Sequence, residues 1–288
     1  MCGWNTNIIR NCYFLSGTAK QGIGGDSASG STESKTKSEM YTAAFCGTLG
    51  YHSQFDENVF CGLCKNGYQP ANKTTHKYNI DGVEGFDEVY EISNKSQLYW
   101  FAQQVNNGNT SINAVLTANI TVNSNVLNAD GTPNGTDFTS WTPIGTSNSS
   151  AYTGTFDGQN HTISGLYFSG SSTSKVGLFG YVRENGSVSN AGVKDSYFYA
   201  KEYVGGVCGL NYYGTITNCY NTGTVSAAVY NSAMLGGVCG QNYYGTITDC
   251  YNIGTVIGSQ NSIQVGGVCG YNESGTIAVS YAHLTLPT

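Results

Sequence analysis

The chain has 288 residues and a formal net charge of −6 at pH 7, and only 10% of its residues are charged. Its 12 Lys and Arg residues are too few to neutralise a phosphate backbone or an anionic lipid surface, which argues against nucleic acid and membrane partners. No run approaches the roughly 18 apolar residues of a membrane span, so no membrane insertion is predicted.

Residues 1–50 are predicted to hold the end of a preceding solenoid and a short helix. Residues 2–13 resemble residues 208–220, because Cys-Gly-x-Asn and Ile-x-Asn-Cys-Tyr occur in both in the same order. The chain thus opens in the middle of a repeat, which predicts a fragment of a longer protein. A Ser-, Gly- and Lys-rich loop is expected at 26–37, and near-helical apolar spacing predicts the helix at 38–49.

The following segment, residues 51–88, shows little periodicity and is interpreted as a linker with a Cys-x-x-Cys element. Close cysteines with a nearby histidine are able to hold zinc, although a single Cys-x-x-Cys also fits a local disulfide or free thiols. The candidate zinc ligands are Cys61 and Cys64, with His52 and either Cys46 or His76.

A helix is predicted from Asn94 to Val105. Asn94 suits the N-cap and Gln97 the N3 position of a capping box. Apolar residues recur on one face, namely Leu98, Phe101, Ala102 and Val105. Such a helix would cover the open end of a β-stack, where unpaired backbone groups are exposed. The first strand of the stack is expected at Ala114–Val122, and a turn into the next coil is expected at Trp141–Gly145.

Three copies of one repeat fill the C-terminal third, and they begin at Val204, Leu235 and Val265. Their Val-Cys-Gly cysteines are separated by 31 and then 30 residues. Short β-branched runs between Gly and Asn-Tyr-Tyr-Gly turns indicate strands, and the period predicts an all-β parallel β-solenoid with one coil per repeat. Two inward ladders are expected, one of Ile216, Ile247 and Ile277 and one of Val225 and Val256.

Several motifs occur in order over Tyr90–Tyr281, and together they resemble the GLUG repeat of bacterial cell-surface proteins. They are Gly-Gly-Val-Cys-Gly, Gly-Leu-Phe-Gly at Gly177–Gly180, the run Ile216–Val225, and the entry segment Gly154–Leu166. The resemblance implies a β-solenoid over 89–281, a secreted or cell-surface location, and a role in adhesion or surface display without one conserved activity. GLUG repeats also occur in non-catalytic regions of some secreted metallopeptidases.

The last residues depart from the repeat, because Ala278-Val279-Ser280-Tyr281 replaces the expected Asn-Cys-Tyr. Residues 282–288 resemble the translation of sequencing-adapter read-through and are expected to be a non-native tail. A genuine but unusual final coil is the other interpretation of this end.

Catalytic chemistry is not predicted. Asp157 and His161 are the one acid and histidine that are close together in the solenoid, and Asp before Gly is typical of a turn. Glycoside cleavage needs two carboxylates, and the neighbouring coils offer no second one at a matching position. Seven of the 10 cysteines are at repeat positions, and Phe179 replaces Cys208 in the preceding coil, which indicates a buried apolar role for them. Disulfides between stacked coils remain within reach, although three thiols in one column cannot all pair.

Tyrosines recur at one turn, and they are the predicted ligand-binding residues: Tyr212, Tyr213, Tyr243 and Tyr244. Exposed ring faces are able to stack on sugars, so a host glycan or surface protein is the expected partner. The alternative is that these rings only shield the turn. The predicted function is a non-enzymatic surface or secreted repeat protein used in adhesion or display. The alternatives are a passive stalk of a larger secreted enzyme, a carbohydrate-cleaving β-helix, or an ice-binding Thr-x-Thr array.

Overall fold

The computed structural model describes residues 9–15, 30–35, 68, 70–80, 83–228, 233–258, 264–278 and 281–282, in two compact units, 1–70 and 71–288. In the first unit, strand β1 (Ile9–Leu15) pairs in parallel with strand β2 (Gly30–Lys35). Strand β2 lies where the sequence predicted a loop, so that interpretation was wrong. The predicted helix at 38–49 lies outside the described residues.

The second unit begins with a hairpin and a helix, and its strands then follow the solenoid coil by coil. The hairpin and helix are β3 (Asn72–Ile80), β4 (Val83–Ile92) and α1 (Lys95–Asn106). Coil 1 has β5 (Asn113–Leu116) and β6 (Ile120–Thr121). A short 3-10 turn follows at Asn148–Ser150. Coil 2 has β7 (Thr155–Asp157), β8 (Thr162–Ser164), β9 (Tyr167–Val176) and β10 (Phe179–Val182).

The repeats continue this order. Coil 3 has β11 (Ser187–Ser189), β12 (Gly192–Lys194), β13 (Tyr197–Gly205) and β14 (Cys208–Tyr212). Coil 4 has β15 (Thr215–Thr217), β16 (Tyr220–Asn221), β17 (Thr224–Ala227), β18 (Met234–Gly236) and β19 (Cys239–Tyr243). Coil 5 has β20 (Thr246–Thr248), β21 (Tyr251–Asn252), β22 (Thr255–Ile257), β23 (Gln264–Gly266) and β24 (Cys269–Glu273). Coil 6 has β25 (Thr276–Ala278) and β26 (Tyr281–Ala282).

Equivalent strands of successive coils pair in parallel and form four stacked sheets. Sheet I has the order β10-β14-β19-β24, and sheet II the order β25-β20-β15-β11-β7-β5-β4-β3. Sheet III has the order β26-β21-β16-β12-β8-β6, and sheet IV the order β22-β17-β13-β18-β23 with β9 also paired to β13. The predicted parallel β-solenoid is confirmed. Among the described residues, no helix is long and apolar enough to cross a membrane.

The predicted ladders are present in register. Ile216 is paired with Ile247, and Ile247 with Ile277. Val225 is paired with Val256 in the same manner. The isoleucine column begins further back in the chain, because Phe156 and Val188 precede it in sheet II. Each coil thus buries its apolar residue against the next coil, which is how a repeat that has no core of its own becomes stable.

Helix α1 is capped as the sequence predicted. The side-chain oxygen of Asn94 accepts a hydrogen bond from the Gln97 N–H at 3.0 Å. The Gln97 side-chain oxygen accepts from the Ser93 N–H at 2.8 Å, one residue earlier than in a standard capping box. The ring of Phe101 lies 5.9 Å from Tyr152 and 6.0 Å from Phe156, so the apolar face of α1 packs on the first coils.

The hairpin extends sheet II at the same end. Strand β3 pairs antiparallel with β4, and β4 pairs in parallel with β5. The sequence placed residues 72–80 and 83–88 in a linker, but they form strands. Lys73 and Glu88 face water, and charged residues of this kind interrupt the alternation of apolar residues along the strands. A charged edge strand also protects the end of a sheet from pairing with other chains.

Tyr152 is the most deeply buried tyrosine in the described part of the chain. Its ring lies 5.1 Å from that of Phe179, and its hydroxyl donates to the carbonyl of Ile112 at 3.0 Å. Burial raises the pKa of this hydroxyl well above its usual value of about 10. The folded protein therefore holds this proton more tightly than the unfolded chain does.

The free energy of unfolding is accordingly expected to fall as the pH rises above about 10. The contribution of Tyr152 is complete below that pH and is lost as the pH rises towards its folded-state pKa, by at most about 1.4 kcal/mol per pH unit. The Tyr152→Phe variant has no proton to release at this site. Urea unfolding at pH about 8 and about 11 should therefore show a smaller loss in this variant than in the wild type; equal losses would contradict the expectation.

Candidate functional site

The four tyrosines lie together at the turn from sheet I to sheet II, at the ends of coils 3 and 4. We call them the tyrosine cluster: Tyr212, Tyr213, Tyr243 and Tyr244. The second tyrosine of each pair has a left-handed backbone, with φ of 58° at Tyr213 and 51° at Tyr244. A glycine follows, and a Cβ at Gly245 would come within 2.2 Å of the Asn211 side-chain nitrogen. The chain therefore turns tightly and holds both tyrosine pairs at its outer side.

Rings of successive coils stack on each other. Tyr212 and Tyr243 have centroids 4.9 Å apart and planes within 3°, and Tyr213 and Tyr244 have centroids 5.1 Å apart and planes within 4°. Neighbours in sequence meet edge to face, at 4.8 Å for the first pair and 4.7 Å for the second. Tyr213 and Tyr244 are 46% and 47% exposed. Tyr212 and Tyr243 pack on the buried residues Ala151, Tyr181 and Leu210.

This stacking limits which ring faces are accessible. At a centroid spacing near 5 Å, parallel rings overlap in offset stacking, so each ring covers part of the face of its neighbour. A sugar therefore cannot lie flat on every ring face of the cluster. One ring remains at the end of its stack, because Ser274 stands in coil 5 where coils 3 and 4 have Tyr213 and Tyr244.

Two polar side chains lie beside this end of the stack. Glu273 is paired in register with Tyr243, and the Gln241 side-chain nitrogen donates to its carboxylate at 3.5 Å. Partial burial, the neighbouring Tyr244 and the Glu273 carboxylate together raise the pKa of Tyr243. The predicted site residues did not include Gln241, Glu273 or Ser274. The sequence feature that distinguishes them is a change of residue type between equivalent positions of neighbouring coils.

The opposite end of the cluster carries longer and charged side chains. The turn of coil 2 is one residue longer, and it exposes Arg183 and Glu184. Partial burial, the other tyrosines and then the charge of Glu184 raise the pKa of Tyr213. Lys175 lies with its ammonium 5.4 Å from the ring centre of Tyr181, in cation–π contact. The two ends of the cluster therefore differ in chemistry.

Asp157 and His161 belong to a turn. The Asp157 carboxylate accepts from the Gln159 N–H and from the Asn190 side chain, both at 2.9 Å. These bonds fix the turn and its stacking on coil 3, which agrees with the turn interpretation. Among the described residues, no three His, Cys, Asp or Glu side chains are placed to hold a metal ion. The predicted zinc ligands Cys46, His52, Cys61 and Cys64 lie outside the described residues, and His76 lies on β3.

Four cysteines at repeat positions of the solenoid are free thiols: Cys208, Cys219, Cys239 and Cys269. Cys208 stacks on Phe179 and on Cys239, as the exchange of Phe for Cys predicted. Burial raises the pKa of the Cys219 and Cys239 thiols well above their usual range, so both remain protonated. These thiols pack in the solenoid wall as small apolar groups.

A shallow pocket of about 290 Å³ lies near the hairpin. Its lining residues are Lys73, Glu88, Tyr90, Ser111, Ile112 and Asn113. The Lys73 ammonium and the Glu88 carboxylate form an ion pair with each other, so the two charges are already matched. The pocket offers no nucleophile with an adjacent base.

Comparison with known proteins agrees with this geometry. Residues 201–226 and 231–257 match the family model of the GLUG motif. The chain is thus a β-solenoid that carries GLUG repeats, as its motifs indicated. Over 97 residues, or 32% of the chain, it is 34% identical to Halomucin of Haloquadratum walsbyi, and the match spans 1% of that relative's length.

One solved structure is also similar. It is the crystal structure of a candidate immunoglobulin A1 protease from Bacteroides ovatus, with a TM-score of 0.49 and 20% sequence identity. The similarity covers 69% of this chain and 67% of that chain.

Proposed function

We propose that this chain is a non-enzymatic repeat region of a secreted or cell-surface bacterial protein, and that its tyrosine cluster binds a glycan or a protein on a host surface. The observation that carries the proposal is the exposed aromatic cluster on a stack with few charges. Tyr213 and Tyr244 keep nearly half of their surface in water, and exposed apolar surface of this kind marks binding sites. Tyrosine is enriched at binding surfaces because its ring is apolar and its hydroxyl forms hydrogen bonds.

The repeat supports this function in a second way. A stack of similar coils presents the same chemistry at regular intervals, so weak contacts along it add up through multivalency. Catalysis is not part of the proposal, because the described residues bring together no acid pair and no nucleophile with its base.

The test is a glycan array and a host-cell binding assay with the chain and two variants. Replacing all four tyrosines of the cluster by serine is expected to abolish binding. The matched control replaces Tyr220 and Tyr251, which stack at 4.8 Å in sheet III away from the cluster, and it should bind as the wild type does. Circular dichroism establishes that each variant folds.

The other outcomes are equally informative. Binding that survives loss of the cluster in a folded variant would move the site elsewhere. Failure of the wild-type chain to bind any glycan or host cell would favour a passive stalk of a larger secreted enzyme. Cleavage of a polysaccharide would overturn the non-enzymatic assignment.

A further inference from the structure

The tyrosine stack ends one coil before the solenoid does, and this end has the features of a small binding site. We propose, building on the function above, that the place of the missing third tyrosine over Ser274 is a subsite for one neutral pyranose ring. The sugar would stack on the outer face of Tyr244 and donate its hydroxyls to the Glu273 carboxylate, which the Gln241 amide would orient.

The backbone at Ser274 has the same register and turn conformation as the backbone at Tyr244. Strand β24 continues the register of β19, since Asn242 is paired with Asn272 and Tyr243 with Glu273. The Tyr244 N–H donates to the Glu273 carbonyl at 2.9 Å, and Ser274 has the same left-handed backbone as Tyr244, with φ of 54°. The turn of coil 5 thus repeats that of coil 4 with a small side chain. A sugar ring that stacks on Tyr244 at about the 5.1 Å spacing of the tyrosines would take the place of the third tyrosine.

The polar groups suit hydroxyls. A carboxylate accepts several hydrogen bonds and donates none, so it pairs well with two neighbouring sugar hydroxyls. Glu273 is close to Tyr243, whose ring meets Tyr244 edge to face at 4.7 Å, and the carboxylate is therefore beside the stacking face. Gln241 is almost fully buried and orients Glu273 through its side-chain nitrogen.

The same charge selects against acidic sugars. A uronate ring in this place would bring a second carboxylate next to Glu273, and like charges at short distance are unfavourable. The opposite end of the stack offers no equivalent subsite, because the longer turn with Arg183 and Glu184 lies beside Tyr213. The subsite is therefore expected at the coil 5 end.

The decisive variant is Ser274→Tyr, which continues the stack and fills the proposed subsite with a ring. Its solenoid should stay folded with an unchanged or higher melting temperature, and its affinity for methyl glucoside, galactoside or mannoside, whichever the wild type binds, should fall by about tenfold or more. Titration by NMR measures this affinity, and the matching methyl uronides serve as acidic ligands for comparison. Arg183→Tyr, at the opposite end, is the control and should leave binding unchanged.

A second variant tests the polar contacts. Glu273→Gln keeps the size of the side chain and removes its charge, so binding of neutral glycosides should weaken and the disadvantage of the uronides should shrink. Full binding by a folded Ser274→Tyr variant would overturn the subsite. If the four-serine variant then still loses binding, the proposed function stands without this subsite. If the wild type binds neither a glycan nor a host cell, the proposed function fails as well.

Discussion

Replacing Ile247 by aspartate is expected to unfold the solenoid or to remove most of its stability. Ile247 is fully buried in the ladder between Ile216 and Ile277. Truncation of such a side chain alone costs about 2–5 kcal/mol, and the aspartate adds the cost of a buried carboxylate without a partner. Because whole domains are stable by only about 5–15 kcal/mol, the loss should dominate urea unfolding curves followed by circular dichroism.

The same ladder provides the matched control. Ile277 belongs to the same column one coil later and is 39% exposed, so an aspartate there still reaches water. Ile277→Asp should therefore cost about 1 kcal/mol or less. Similar losses in both variants would contradict the ladder as the source of stability. If only the last coils unfolded, the free energy of unfolding would depend less steeply on urea concentration. That result would show that the stack unfolds in parts.

The repeat period was enough to predict the stack and its inward ladders. When units 30 and 31 residues long carry the same β-branched runs, equivalent residues must fall in register on successive coils, as Ile216 and Ile247 do. The helix was predicted for a local reason, since the Asn94 cap and the apolar face of α1 are encoded in consecutive residues. Patterns that repeat or act locally are those that a single sequence exposes.

The hairpin was missed although its pairing is local, since Ile80 of β3 is paired with Val83 of β4. Exposed charged residues such as Lys73 and Glu88 interrupt the alternation of apolar residues that would have predicted its strands. The candidate site was predicted only in part. The recurrence of Tyr212 and Tyr243 gave the cluster, but the relative tilt of the rings, and hence which face is free, depends on coordinates. The role proposed for Ser274 follows from that geometry.

A further missed feature is a ladder of three asparagines at the repeat spacing, in which Asn211 and Asn242 are buried and Asn272 is the exposed end. The Asn211 side-chain nitrogen donates to the Asn242 side-chain oxygen at 2.8 Å, and Asn242 donates in turn to Asn272 at 2.8 Å. Asn242 also donates to the Gly245 carbonyl at 3.0 Å, three residues later. A Cβ at Gly245 would collide with these amides, so the recurring Asn-x-x-Gly of the repeat is one structural unit.

Replacing Asn242 by leucine is therefore expected to cost about 1–3 kcal/mol, although leucine is similar in size and more apolar. The change leaves one N–H of the buried Asn211 amide without a partner, and a buried group left unpaired costs about that much. The Gly245 carbonyl loses one of its two donors and keeps the N–H of Thr276. Asn272→Leu is the matched control: Asn272 is exposed at the end of the same ladder, so water replaces its partners and the cost should stay within about 0.5 kcal/mol. Urea unfolding of both variants measures the difference. If Asn242→Leu proved as stable as the wild type, the asparagines would specify the turn without stabilising it, and the recurring spacing to Gly245 would need another cause.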